Sequence, residues 1–324
     1  MVESFNEKLR SAARIAVNVC MAVKPGESVL VITDEPTRSI GYALWEAAKE
    51  SGAEAMITEI IPRESNGEEP PGAIAGLMKS VDVVLIPTSK SLSHTDSRRE
   101  ASKSGVRIAT LPGITEDMMI RTLNADFKET AEKSNKLAEI LSAGTNVRVT
   151  SEKGTDVNLV LESREGHPDT GLNHKPGDFS NLPAGEAYAA PLEGKSSGIV
   201  VMDGSMAGVG ILKGEVIRIK VEDGYAVDIS GGEAAEKLDS IMKPFGKDAY
   251  NLAELGIGTH DRALITGNVL EDEKVIGTVH IAFGDNKSMG GVVRVASHLD
   301  GVIMEPTVEV DGKEIMRAGE FLIF

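Results

Sequence analysis

Three of the chain's six histidines open a His-x-Asp: His94 with Asp96, His167 with Asp169, and His298 with Asp300. Chance predicts about a third of one such pair, so the chain is enriched in them, but spacing alone does not choose among the three. Context does. Residues i and i+2 of a β-strand point to one face, and a strand through 293–300 in "VRVASHLDGVIMEP" projects His298 and Asp300 together. Pro168 separates the second pair in the loop-like "SREGHPDTGLNHKPGD", where a strand is not expected. The pair at 94 and 96 opens a helix-patterned segment and reads as a solvated cap.

A fourth histidine shares the setting of the favoured pair. Read with period two, "EKVIGTVHIAFGDN" puts Val279, Ile281 and Phe283 on one face and His280, Ala282 and Gly284 on the other. The imidazole thus stands beside residues too small to fill the space. Two carboxylates occupy equally apolar surroundings, Glu186 in "NLPAGEAYAAP" and Glu254 in "NLAELGIGTH", where an unpaired charge would be costly. Two histidines and three carboxylates form an N/O donor set suited to Zn, Co, Mn or Fe(II). Cys20 is the only cysteine, which excludes a disulfide within the chain and a thiolate cluster.

These residues need a scaffold. Residues 28–60 read as an apolar strand, a turn, a helix ending at Gly52 and a second strand, a βαβ unit. "VDVVLIPTS" and "VRIATLPG" repeat the cycle, which implies a parallel sheet covered on both faces. Neither G-x-G-x-x-G nor G-x-x-x-x-G-K-[ST] occurs, so nucleotide phosphates lack their usual cradle. A helix is expected over 127–142, and the texture then changes to period-two strands; "VEDGYAV" marks a hairpin turning at Asp223 and Gly224. The expected fold is α/β, with a Rossmann-like parallel-sheet scaffold over 1–143 and a mixed α+β, largely antiparallel, metal-binding domain over 144–324. Lys and Arg total 34 against 50 for Asp and Glu, a formal charge of −16, which argues against nucleic-acid partners. No apolar run approaches the roughly 18 residues of a membrane span, and the charged, helix-patterned start is unlike a leader, so a cytoplasmic protein is expected.

Four segments in order, "NLPAGEAYAAP", "AELGIGT", "GTVHIAFGDN" and "SHLDGVIMEPTVEVDGKEIMRAGEF", resemble the thermophilic M29 family of metal-dependent aminopeptidases and its shorter leucyl aminopeptidase-like branch. The resemblance covers mainly residues 180–324, with "SLSHT" and "RIATLPGI" as weaker echoes. It implies that Glu186, Glu254, His280, His298 and Asp300 bind two divalent ions, Zn, Co or Mn. A water between the ions would act as hydroxide on peptide N-termini. It also implies catalytic roles for Glu186 and Glu254, and a homodimer or larger homo-oligomer. Lys287 takes the position of a tyrosine seven residues after the histidine of the "HLALG" segment of those aminopeptidases, and its ammonium would serve the scissile carbonyl. A distant branch, similar to iron-dependent dioxygenases that open dihydroxypyridine rings, supplies an alternative. There one Fe(II) sits in a facial triad of His298, Asp300 and either His280 or His260, with His94 as acid or base. A third reading is a non-catalytic metal- or ligand-binding relative. The leading expectation is an aminopeptidase-like hydrolase acting on a peptide or other small molecule.

Overall fold

The apolar bursts of the first half become a parallel sheet in the computed structural model, which describes residues 5–324. After α1 (Phe5–Ile15), the βαβ unit consists of β1 (Ser28–Asp34), α2 (Arg38–Glu50) and β2 (Glu54–Ile60). The second cycle is α3 (Gly72–Met78), β3 (Val83–Ile86), α4 (Asp96–Lys103) and β4 (Arg107–Thr110), followed by α5 (Glu116–Thr122) and α6 (Phe127–Ala143). Every residue of β3 and β4 is buried, as a parallel sheet clad on both faces requires.

Beyond α6 every strand pairing but that of Phe179–Asn181 is antiparallel. β5 (Asn146–Thr150), β6 (Asp156–Val160), β7 (His167–Asp169), β8 (Phe179–Asn181) and β9 (Glu186–Ala189) lead to β10 (Ser197–Met202), β11 (Ser205–Met206) and β12 (Gly210–Ile211). β13 (Ile217–Glu222) and β14 (Tyr225–Ser230) form the expected hairpin. Its turn residues Asp223 and Gly224 both have positive φ, 47° and 74°, the conformation a two-residue primed turn demands. α7 (Glu233–Met242), β15 (Leu252–Gly258), α8 (Val269–Asp272), β16 (Val279–Gly284), β17 (His298–Ile303), β18 (Thr307–Val310), β19 (Lys313–Arg317) and β20 (Glu320–Phe321) complete the chain.

The chain divides into two compact units. One runs to Glu129 and includes Thr170–Ala184; the other comprises Thr130–Asp169 and Gly185–Phe324. The sequence changes texture near 143, where strands replace helices, whereas the first unit ends earlier, within α6, and regains the chain once more. That return adds β8 beside β4, giving the parallel order β2-β1-β3-β4-β8.

The second unit holds an eight-stranded sheet, β14-β13-β10-β6-β5-β18-β19-β20, and a seven-stranded sheet, β12-β11-β17-β16-β15-β9-β7. Ala187, Ala189, Leu255, Ile257, Val279, Ile281, Phe283 and Ile303 on one face of the seven-stranded sheet join Val147, Val157, Val200 and Ile219 of the other sheet in one apolar core. Leu137 and Leu141 of α6 belong to that core and are fully buried. Among the described residues no helix is long and apolar enough to cross a membrane.

Candidate metal centre

Strand periodicity leaves the opposite face of the seven-stranded sheet to polar residues. Glu254 of β15 pairs with Ala282 of β16, which pairs with Asp300 of β17, a row across three strands. Gly256 stands opposite His280, Gly258 opposite Glu186, and Gly284 opposite His298. Directly opposed residues share a face, so all five donors project together from four adjacent strands. The glycines between them are needed: a Cβ at Gly256 would lie 2.0 Å from Nε2 of His280.

Two overlapping groups of three donors result, Glu254 with His298 and Asp300, and Glu186 with Glu254 and His280. Within each group one ligand atom per residue lies inside 4.8 Å of the others. In the first, Nδ1 of His298 is 2.8 Å from the carbonyl oxygen of Asp285. A carbonyl only accepts, so Nδ1 carries a proton and donates it. Nε2 is thereby aimed at Glu254 Oε2, 3.1 Å away, and Asp300 Oδ1, 3.4 Å away. A backbone acceptor fixing the far nitrogen is how proteins orient a metal-binding imidazole. The His298 side chain is 26% exposed, against 8% for Glu254 and 10% for Asp300, so this group has an accessible side.

The second group is closed. His280 Nε2 lies 3.0 Å from Glu186 Oε2 and 3.5 Å from Glu254 Oε1, and its side chain is 1% exposed. Among the described residues His280 Nδ1, on the far side of the ring, is buried without a hydrogen-bond partner. Glu186 Oε1 accepts from Lys274 Nζ at 2.6 Å. The Lys274 ammonium also pairs with Glu273 at 2.5 Å and lies 3.8 Å from Asp169.

Burial is the largest single influence on each of these groups, and opposing charge overrides it in most. Burial pushes Glu186 and Glu254 up, but Lys274 and His280 for the former, and the two imidazoles for the latter, bring both carboxyls well below their usual range. Asp300 is lowered by His298 in the same way. Burial lowers the two histidines and Lys274, yet the facing carboxylates raise all three well above their ordinary values. Glu273 is the exception: burial raises it, Lys274 offsets only part, and Asp300 and Glu186 raise it further. In the ion-free chain protons on the imidazoles hold the carboxylates together, and a divalent cation is the natural replacement for them.

Other sequence candidates stand elsewhere. Lys287 is exposed in a short turn after β16, its backbone N–H donating to Asp285 Oδ1. His94 is an exposed turn residue of the first unit, directly before α4; the cap of that helix is Thr95, whose side chain accepts from the Arg98 N–H. His260 is buried, with Nδ1 accepting from the Arg262 N–H, and belongs to neither donor group. The facial triad expected from His298, Asp300 and a second histidine is not among the donor groups of the described residues: Glu254 is the side chain that stands with His298 and Asp300, because β15 lies next but one to β17 and His280 sits a row further along.

Sequence reasoning missed Asp169, Tyr188, Glu273 and Lys274. β7 is an edge strand, which tolerates Pro168 at its centre. His167 and Asp169 thus join the polar face, opposite Tyr188 and Glu186. Their His-x-Asp spacing was the available signal. The His167 and Tyr188 rings lie 5.3 Å apart, and burial with the charges of Glu254, Asp169 and Glu186 keeps the Tyr188 phenol above the ordinary tyrosine range. In "EDEK", residues 271–274, all four charged side chains are buried, which no periodicity announces.

A family model described as 2,5-dihydroxypyridine 5,6-dioxygenase, NicX, matches residues 8–323. This chain belongs to the NicX family. The structure of 2,5-dihydroxypyridine dioxygenase from Pseudomonas putida KT2440 superposes with a TM-score of 0.87 at 21% identity, over 99% of each chain. Wild-type AmpT from Thermus thermophilus superposes with a TM-score of 0.74 at 18% identity, over 99% of this chain and 100% of that one. No curated protein sequence matches the chain.

Membership of the NicX family overturns the expectation of an aminopeptidase-like hydrolase. The reason is physical. The four segments that carry the M29 resemblance contain β9, β15, β16 and β17, so they record a shared sheet rather than a shared reaction. The likeness to AmpT is one of fold.

Proposed function

We propose that the chain is a ring-opening dioxygenase acting on a small hydroxylated N-heteroaromatic, with Fe(II) held by Glu254, His298 and Asp300 in the second unit. Family membership supports the reaction class, and the His298 geometry carries the assignment of the site: a proton-donating Nδ1 on a backbone carbonyl leaves Nε2 as a donor between two carboxylates. The donors fit the ion, being oxygen and imidazole nitrogen on one face with one accessible side. The set has one imidazole and two carboxylates where two imidazoles and one carboxylate were expected. When bound, iron supplies the one-electron chemistry that lets dioxygen react with an aromatic ring.

The chain's own residues supply position and protons. The Asp285 carbonyl holds the His298 ring in one orientation. Glu254, on a strand buried throughout, is held rigid against the core. Tyr188 keeps its phenolic proton at neutral pH and stands on the same face as Glu186 and Gly256, where it can donate to a substrate oxygen. Protein loaded anaerobically with Fe(II) is expected to consume dioxygen and a dihydroxypyridine together on mixing. Absence of uptake across dihydroxypyridines with iron demonstrably bound would sink the reading.

A further inference from the structure

The polar face carries two donor groups that share Glu254, yet only one of them is open. The other contains Glu186, and Glu186 is already engaged. Its Oε1 accepts from a lysine that is 1% exposed and faces two further carboxylates, Glu273 and Asp169. A buried ammonium among three carboxylates performs the electrostatic task a divalent ion would otherwise perform, since each charge has lost its water and must find an opposite one. We propose that Lys274 is the residue that limits this centre to a single metal ion, its ammonium removing Glu186 from the ligand set. This rests on the reading of Glu254, His298 and Asp300 as a metal site.

Three features of the fold make the placement specific. Lys274 stands two residues past the end of α8, whose residues Glu271 and Asp272 are buried and accept hydrogen bonds from the backbone of Leu264, Thr266 and Gly267. Those bonds anchor the segment that delivers the ammonium. The Lys274 backbone carbonyl accepts from the His260 N–H, so the main chain is held on both sides of the side chain. Asp169 and Glu186 face each other in register on β7 and β9, which presents the ammonium with a pair of carboxylates prearranged by strand pairing. Lys274 is a positioning residue in this account, acting through Glu186 on the composition of the centre.

Removing the cation while keeping the bulk of the side chain, as in Lys274→Met, takes the ammonium from Glu186 and Glu273 and leaves Glu186 facing Nε2 of His280 alone among the contacts it makes to positive groups. A second divalent ion is then the available neutraliser. The test counts metal by mass spectrometry after chelator treatment, anaerobic reloading with Fe(II) or Co(II), and desalting. Wild type is expected to retain about one ion per chain, K274M about two, and K274R about one, the Co(II) spectrum of K274M changing with the added ion. Glu186→Gln in an otherwise native chain is expected to keep the single ion, which tests the same claim should K274M fail to fold. Two ions in wild type, one in a folded K274M, or loss of the ion in E186Q would each overturn the proposal while leaving a metal-dependent centre in place. No ion in wild type would overturn both this inference and the metal site beneath it; His298→Ala is expected to abolish loading only if that site is real.

Discussion

An alanine at Gly256 would meet Nε2 of His280 at 2.0 Å, so the ring would have to leave its place between Glu186 and Glu254. G256A is expected to destabilise the fold by about 1–3 kcal/mol, the ordinary cost of overpacking, measurable as a lowered denaturant midpoint; an unchanged midpoint would show that the ring moves freely. The histidines also give the centre a pH signature. Carboxylates hold His298 well above 6.5 in the ion-free chain, so at neutral pH an incoming ion must displace a proton from Nε2. Loading is expected to release about one proton per ion and to tighten as pH rises. For the ion-free fold the sign reverses. Stabilisation from a raised histidine pKa is complete below about 6.5 and is lost as pH climbs through the folded value. Chelated protein should therefore lose melting temperature on the alkaline side while loaded protein does not. Indicator-dye proton release and paired melting curves check both, and parallel curves would contradict the assignment. At this scale small or apolar neighbours single out His280, His298, Asp300, Glu186 and Glu254 in the sequence, and strand alternation puts His298 and Asp300 on one face; the grouping of all five came from the resemblance, because alternation within a strand does not say which strands pair. Lys274 was hidden: a charged run looks alike whether solvated or buried around a centre.

The element that orients His298 is the 285–297 loop. Asp285 supplies the carbonyl, and its carboxylate accepts from the Lys287 and Val295 N–H groups. Asn286 accepts from the Val293 N–H and donates to Glu193, which also accepts from the Val292 N–H and pairs with Arg164. This network, not a helix or strand, holds the carbonyl to which His298 Nδ1 donates. Asn286→Ala is expected to weaken metal affinity by roughly 10–100-fold, the usual effect of losing a support behind a ligand, with strands β16 and β17 intact. Titration with Co(II) and far-ultraviolet circular dichroism separate the two effects, and wild-type affinity would remove the loop from the account. The elements themselves were largely readable. Continuous apolar runs gave the parallel strands, the Asp223–Gly224 pair gave its hairpin, and spacing gave α6. β7 was not readable, because Pro168 argues against a strand unless the strand is known to be an edge, and edges are a property of the assembled sheet.

At the scale of the molecule, the chain shares its fold with both a dihydroxypyridine dioxygenase and AmpT, so architecture alone does not select a reaction. The family match is what favours ring opening over peptide hydrolysis. The fold class was legible from the succession of periodicities, but the division into units was not, since it depends on which core each side chain enters. α6 shows why. It reads as the last helix of the first half, yet Leu137, Ala138 and Leu141 are buried in the core of the second unit. Its hydrophobic stripe faces strands that the sequence introduces only afterwards. A fragment cut at the change of texture, residues 144–324, would leave a trough in that core where two fully buried leucines belong, and truncating such a leucine to alanine alone costs about 2–5 kcal/mol. The fragment is expected to lack a cooperative thermal transition and to bind Co(II) poorly despite retaining Glu186, Glu254, His280, His298 and Asp300. A sharp transition in the isolated fragment, with metal bound as in the full chain, would show that α6 is dispensable to the unit that carries the centre.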